Sequence, residues 1–271
     1  MHILLTNDDG IYAPGLSALY RRLSDLGRVT VIAPSEIRSG AGHSITLKPI
    51  TCETVEIMGQ FTGFSVDGTP GDCVKLALHK LLDTARTPVD LVVSGINHGS
   101  NLGVHVFYSG TVAAAVEGAF NNIPSIAVSA ALDEPMDMEA ISDQAMEVIR
   151  TLLPLASGPV ININIPKLSR GTPKGIRVVP HATSGYRERY LDGKTPSGQK
   201  TFQFADDVPR DPEMDRETDV RFLSEGYITI SALSIHRNDL RRNRQLRLRL
   251  DGRPVPAQTA IQPGDQHGTI G

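Results

Sequence analysis

Two adjacent carboxylates, Asp8 and Asp9, end an apolar run in the stretch Leu4-Leu5-Thr6-Asn7-Asp8-Asp9-Gly10. Side by side they repel each other unless a cation or a shared proton relieves the repulsion. The plainer reading makes one of them an Asx-turn or helix cap and leaves the other in water. Ser39 and Asn97 stand in polar turns that follow two further apolar runs. Asp8, Asp9, Ser39 and Asn97 together offer two carboxylates, a hydroxyl and an amide carbonyl. These hard donors suit Mg²⁺, Mn²⁺ or Ca²⁺ far better than zinc. His98 or His105 could add a nitrogen, although each is read more simply as solvated or hydrogen-bonded.

The segment Ser109-Gly110-Thr111 opens a helical pattern. Backbone N–H groups at a helix start, with two hydroxyls beside them, make a receptor for phosphate. Alone, the segment is a helix cap. On the same sheet edge as a hard-metal cluster, it places a phosphate against a cation. That combination suits metal-assisted phosphoester hydrolysis, in which the ion polarises phosphoryl oxygens and orients a water. The chain has no GxxxxGK[ST] segment and no GxGxxG after its first strand, which argues against a P-loop NTPase and a dinucleotide-binding site. Phe107 and Tyr108, next to the helix start, are candidates for contact with a base, although core packing explains an aromatic pair equally well.

These residues need elements to position them. Ile3 to Leu5 reads as a strand. Pro14 to Leu26 reads as a helix with Leu16, Leu19, Leu23 and Leu26 on one face, and Val29 to Ala33 as a second buried strand. The first βαβ unit thus closes within roughly thirty residues. Ile45 to Val66 looks like irregular β structure. Thr69-Pro70-Gly71-Asp72 announces a helix, with Asp72 as part of its cap and an apolar stripe from Cys73 to Leu82. Strands follow at Asp90–Asn97, Ser125–Ala130 and Val160–Ile165, with helices at Val112–Ala119 and Met138–Leu153 between them. This alternation predicts an α/β fold, a Rossmann-like doubly wound and mostly parallel sheet. Thr183 to Glu217 is long, charged and without periodicity, an excursion or an arm for a partner. Tyr227 to Leu233 reads as a strand returning to the sheet. Arg241 to Leu250 ends in alternating Leu and Arg and reads as a solvated strand face, and residues 251–271 as a disordered tail. The expected organisation is one domain over residues 1–250.

The bulk composition narrows the class. Net charge is −3 over 271 residues, so no overall basic field recruits nucleic acid and no stable nucleic-acid partner is expected. The two cysteines, Cys52 and Cys73, form no CxxC pair, which suits a reducing compartment. No apolar run is long enough to span a bilayer, and a cytoplasmic location is the expectation.

Thr6-Asn7-Asp8-Asp9-Gly10, Gly68-Thr69-Pro70, Val93-Ser94-Gly95-Ile96-Asn97 and Tyr108-Ser109-Gly110-Thr111-Val112-Ala113 resemble the survival protein E (SurE) family of nucleotidases. The resemblance runs from Met1 to about Leu233 and includes Thr218-Asp219 and Gly226-Tyr227. It implies a divalent-metal-dependent phosphatase acting on nucleoside 5′- and 3′-monophosphates, with short polyphosphate as a further substrate. It places the metal ligands on Asp8, Asp9, Ser39 and Asn97, and the phosphate contacts on Asn101, Ser109, Gly110 and Thr111. One divalent ion per subunit is implied, Mg²⁺ or Mn²⁺, with Ca²⁺ able to occupy the site. The general base is left open between Asp9 and a metal-activated water. The resemblance also implies a homodimer or homotetramer in which an arm, here about residues 183–217, is exchanged between subunits. The sequence departs from the family pattern at His105 and at Ser231-Ala232. Two other readings stand beside this one: a nucleotide or polyphosphate sensor without hydrolysis, and a sugar-phosphate phosphatase.

Overall fold

The computed structural model describes residues 1–183, 188–206, 217–236, 238–251 and 253. Strand β1 (His2–Thr6) is buried throughout: Ile3 and Leu5 belong to one core cluster and Leu4 to the cluster on the opposite face. A strand covered on both sides reads as a continuous apolar run, as this one does. Helix α1 (Pro14–Leu23) follows, with Pro14 in its first turn and Leu16, Leu19 and Leu23 buried. It stops short of the Leu26 expected from periodicity. The Ser24 hydroxyl donates to the Tyr20 carbonyl at 2.8 Å, and such local bonding competes with the helical ladder. Leu26 still packs on the core, from a turn.

Strand β2 (Arg28–Pro34) returns parallel to β1. The region expected to be irregular is an antiparallel hairpin from Cys52 on, β3 (Cys52–Ile57) with β4 (Phe61–Val66). Its turn sets Met58 and Gly59 at positive φ, 51° and 66°. Such turns match strand twist, but Met58 is not a residue that announces one. Helix α2 (Pro70–Leu76) has the expected cap: the Thr69 side chain accepts from the Asp72 N–H while Asp72 accepts from the Thr69 N–H. It widens into a π-turn over Ala77–Leu81, where a continuous α-helix was expected.

Then come β5 (Leu91–His98), a 3₁₀ turn (Gly103–Phe107), α3 (Gly110–Phe120), β6 (Ser125–Ala130), α4 (Met138–Leu152) and β7 (Val160–Ile165). Short β8 (Ile176–Val178) has no sequence signal. β9 (Glu188–Lys194) and β10 (Lys200–Asp206) pair antiparallel in a sheet of their own, with Tyr190 edge-on to Phe204. The stretch expected to lack periodicity therefore carries a hairpin; its residues 184–187 and 207–216 lie outside the described residues. Helix α5 (Asp219–Ser224) leads to β11 (Ile228–Leu233), which joins the main sheet antiparallel to β7, as the returning strand.

The main sheet runs β3-β4-β2-β1-β5-β6-β7-β11-β8, parallel except at β3–β4 and β7–β11. Apolar residues of α1 and α4 share one core cluster with the sheet, and those of α2 and α3 pack in clusters that exclude them. The chain passes from β1 to β2 on one side, then crosses to β5 on the other. Strand order thus reverses beside β1, and the carboxyl ends of β1 and β5 open the crevice where open α/β sheets bind ligands.

Contacts group the chain into two units, Met1–Ile235 and His236–Gly271. In the second, residues 240–250 form helix α6 (Leu240–Leu250), not the strand face suggested by alternating Leu and Arg. Asp239 caps it through the Arg242 N–H at 2.7 Å, and Leu, Arg and Gln are all good helix formers. Of the expected tail, residues 252 and 254–271 lie outside the described residues. Among the described residues no helix is long and apolar enough to cross a membrane.

Candidate active site

The acidic pair leaves β1 at the switch point. Asp8 is buried, 3% exposed, and its carboxylate accepts a hydrogen bond from the Thr111 hydroxyl in the first turn of α3. Burial pushes the Asp8 carboxyl up to about 6; the Thr111 hydroxyl and amide oppose this, and the Asp9 charge adds to it. The positive end of the α3 dipole faces the carboxylate and favours its charge. Asp9 is half-buried and accepts from the His98 N–H at 2.9 Å, which ties β1 to the end of β5.

Among the described residues neither carboxylate has a Lys, Arg or His partner. Two negative charges, one almost dry, therefore stand together with no counter-charge. A divalent cation fits such a donor set. No group of three or more His, Cys, Asp or Glu converges among the described residues. Among the described residues, the further donors at hand are the neutral oxygens of Asn97 and Ser39.

Asn97 and Ser39 are placed accordingly. The Asn97 amide nitrogen donates to the Gly99 carbonyl at 2.6 Å, so its oxygen is the end left for a ligand. The pairing of β5 with β6 shifts register between Ser94 and Asn97, the kind of irregularity that re-aims side chains beside active sites. Gly95, at φ 143°, makes the shift possible; a methyl there would stand 2.4 Å from the Val128 carbonyl oxygen. Ser39 is exposed on the loop after β2. The Arg38 N–H donates to the Asp8 carbonyl at 2.8 Å, bringing that loop to the end of β1.

Of the phosphate candidates, Ser109, Gly110 and Thr111 stand at the start of α3 beside Asp8, whereas no contact joins Asn101 to the acidic pair among the described residues. Ser109 caps α3, its hydroxyl accepting from the Val112 N–H at 3.1 Å. Gly110 lies against Asp8: a methyl group on it would be 2.8 Å from the Asp8 Cβ and 3.0 Å from Oδ2. Thr111 is fully buried and committed to Asp8. Asn101 is set deeper, its side-chain amide donating to the Ser129 hydroxyl at 2.8 Å. Phe107 and Tyr108 are 52% and 61% exposed, so packing in the core does not account for them. His98 is exposed, and only its backbone engages the acidic pair.

Several supporting residues carried weak signals. Asn162 and Asn164 both donate to the Asn101 carbonyl, at 2.9 and 3.1 Å, and Asn164 accepts from its N–H at 2.8 Å. Asparagines on a strand that is otherwise buried and apolar were the available clue. Asp219, fully buried, accepts from the Gly103 and Ala182 N–H groups, each at 2.9 Å. Glu117, on α3, accepts from His43 at 2.6 Å and pairs with Lys75 at 2.8 Å. His43 thereby holds the loop that bears Ser39, and its ring stacks on Phe120.

Comparison with known proteins gives this geometry a family. The family model described as Survival protein SurE matches residues 3–188. The chain belongs to the SurE family. A SurE relative from Rhodopirellula baltica, named 5′-nucleotidase SurE, is 41% identical over 245 residues, 89% of this chain and 96% of its own. One of the same name from Desulfitobacterium hafniense is 42% identical over 249 residues, covering 91% and 96%. The crystal structure of the SurE protein from Aquifex aeolicus superposes with a TM-score of 0.78 at 34% identity, covering 93% of this chain and all of that one. The α/β sheet dominated by parallel strands is thus a SurE fold.

Proposed function

We propose that this chain is a divalent-metal-dependent phosphatase that hydrolyses nucleoside 5′- and 3′-monophosphates to nucleoside and phosphate, with short polyphosphate as a further substrate. The relatives' name, 5′-nucleotidase SurE, supports phosphatase chemistry on nucleotides. The observation that carries the reading is the pairing of an uncompensated carboxylate pair with the N-terminus of α3, joined by the Thr111–Asp8 hydrogen bond.

Asp8, Asp9, Ser39 and Asn97 would hold Mg²⁺ or Mn²⁺, and Ca²⁺ also suits these donors. A bound ion would supply Lewis-acid polarisation of the phosphoryl group and make water more acidic. Ser109, Gly110 and Thr111 present the helix start to the phosphate, and its partial positive charge favours the anion. Gly110 lets the start of α3 pack directly against Asp8 and Pro70, where a side chain would not fit. Asn101 adds an amide contact from the turn that Asn162 and Asn164 hold still. The general base would be Asp9, whose Oδ2 accepts from the His98 N–H, or a water made more acidic by the ion. Phe107 and Tyr108 flank this cradle and face the nucleoside. The β9–β10 arm, with Tyr190, Leu191, Phe202 and Phe204 all exposed, joins subunits into a homodimer or homotetramer.

A substrate panel tests the reading. Phosphate release is measured from AMP, GMP, their 3′-isomers, a sugar phosphate and short polyphosphate, with Mg²⁺, Mn²⁺ or chelator. Metal-dependent release led by the 5′-nucleotides is the expected result. Tight nucleotide binding without release would favour a sensor, and preference for the sugar phosphate would move the substrate class.

A further inference from the structure

Asp219 is a fully buried carboxylate at the start of α5. Its Oδ1 accepts from the Val220 N–H at 2.8 Å and the Ala182 N–H at 2.9 Å, and its Oδ2 from the Gly103 N–H at 2.9 Å. Only the first of these bonds belongs to the helix. The other two reach segments 37 and 116 residues away along the chain. Among the described residues no Lys, Arg or His forms an ion pair with it. A dry charge is tolerated only where hydrogen bonds hold it. Here those bonds clamp two distant backbone segments together.

Both segments bear on the candidate active site. Gly103 opens the 3₁₀ turn that ends at Phe107. The His105 carbonyl accepts from the N–H groups of Tyr108 and Ser109, at 3.0 and 3.1 Å, so this turn runs straight into the cap of α3. The Gly42 N–H donates to the Tyr108 carbonyl at 3.0 Å, which brings the Ser39 loop to the same place. On the other segment His181 precedes Ala182. Its ring meets that of Phe107 edge to face, with centroids 6.1 Å apart and planes at 81°. Leu102, Ala182, Val220 and Leu223 pack together as a small core around the clamp.

The corner formed by the two rings suits a flat aromatic ligand. Phosphate held at Ser109, Gly110 and Thr111 leaves the rest of the substrate to lie outside the helix start. Phe107 stands two residues before Ser109 and is 52% exposed, and His181 is half-buried. Two rings at nearly a right angle offer a face and an edge together, so a base stacked on one meets the other. A sugar phosphate has no π-face to stack there. Stacking also tolerates any base, because every base has such a face.

We propose that His181 and Phe107 form the wall on which the base of a nucleotide stacks. His181 is then a specificity-determining residue, and Asp219 a positioning residue that sets the wall against the cap of α3. The proposal rests on the reading of this site as a nucleotide site.

The test compares kcat/KM for AMP and for ribose 5-phosphate, which keeps the sugar and phosphate and lacks the base. It uses the full-length wild type, His181→Ala, His181→Phe and Asp219→Asn, each checked for fold by circular dichroism. Adenosine binding is measured by calorimetry on the same samples. In Asp219→Asn the amide can turn its oxygen to Gly103 or to Ala182 and Val220, not to both, so one segment is released. If that variant does not fold, the two His181 variants decide alone.

The ratio of the AMP to the ribose 5-phosphate constant should fall about tenfold in His181→Ala and recover in His181→Phe. Asp219→Asn should lower the ratio as well, mainly through the KM for AMP. Adenosine should bind the wild type and lose affinity in His181→Ala. The proposal is overturned if His181→Ala lowers both substrates together and keeps the ratio, which is what a merely structural role would do. It is also overturned if His181→Phe is no better than His181→Ala, if a folded Asp219→Asn keeps the ratio, or if only the oligomer mass changes. AMP turnover with the same ratio in every variant would sink the wall and leave the phosphatase standing. In a wild type that releases no phosphate, adenosine binding that depends on His181 would support the wall and sink the phosphatase alone. Adenosine that binds without regard to His181, or not at all, would overturn the wall.

Discussion

The Thr111 hydroxyl donates a hydrogen bond to the buried carboxylate of Asp8, joining the first turn of α3 to the end of β1. The same carboxylate is destabilised by burial and by Asp9, which raises its pKa to about 6. An acid whose folded pKa lies above its unfolded value costs stability once it ionises. That cost is absent well below pH 3.8, grows as pH rises, and is fully present above about 6. Without metal at neutral pH, Asp8→Asn should therefore be more stable than the wild type by about 1–3 kcal/mol. Urea melts in chelator across pH check this; the variant's advantage should shrink in acid.

Thr111→Val removes the donor and leaves that charge less supported. A loss of about 1–3 kcal/mol is expected at neutral pH in metal-free urea melts, larger than an exposed Thr→Val change produces.

Gly110→Ala places a methyl where only 2.8 Å separates it from the Asp8 Cβ. Overpacking of this kind costs about 1–3 kcal/mol. The methyl also displaces the carboxylate, so turnover should fall by roughly 100-fold or more, equivalent to about 2.7 kcal/mol in the barrier. Steady-state kinetics on the folded variant give the answer.

Much of this site was legible in the chain. Asp8-Asp9 at the end of an apolar run, and Ser109-Gly110-Thr111 before an alanine-rich helix, locate both halves because strand ends and helix starts have strong local signatures. Long-range supports were not legible. Nothing in the local sequence says that Glu117 meets His43 and Lys75, or that Asn162 and Asn164 reach across to Asn101. In α6 the alternation of Leu and Arg imitated a strand, and the capping Asp239 was the better guide. Short β8 and α5 hold their shapes through tertiary contacts, notably Asp219, and left no periodic trace.

Glu117 offers a second pH test. Burial pushes its carboxyl up, but hydrogen bonds from His43 and Lys75 outweigh burial and bring it below the usual 4.5. An acid with a depressed folded pKa contributes stability above its unfolded value, lost as pH falls through the folded one. Glu117→Gln should lower neutral-pH stability by about 2 kcal/mol and flatten the decline below pH 4.5, as read in thermal melts. Because His43 steadies the Ser39 loop, the metal concentration for half-maximal turnover should rise too.

Replacing Tyr190, Leu191 and Phe202 with Ser in the β9–β10 arm removes exposed apolar side chains from the proposed subunit contact. Light scattering should show a shift toward monomer, with no loss of helix signal by circular dichroism.

The central claim is that Asp8 holds a divalent ion required for turnover. The most direct test titrates Mn²⁺ into the metal-stripped wild type and Asp8→Asn by calorimetry and assays AMP hydrolysis on the same samples. The account predicts one bound ion per wild-type subunit with activity rising in step, and neither in the variant. Full turnover by a folded, metal-free wild type, or by Asp8→Asn, would contradict it.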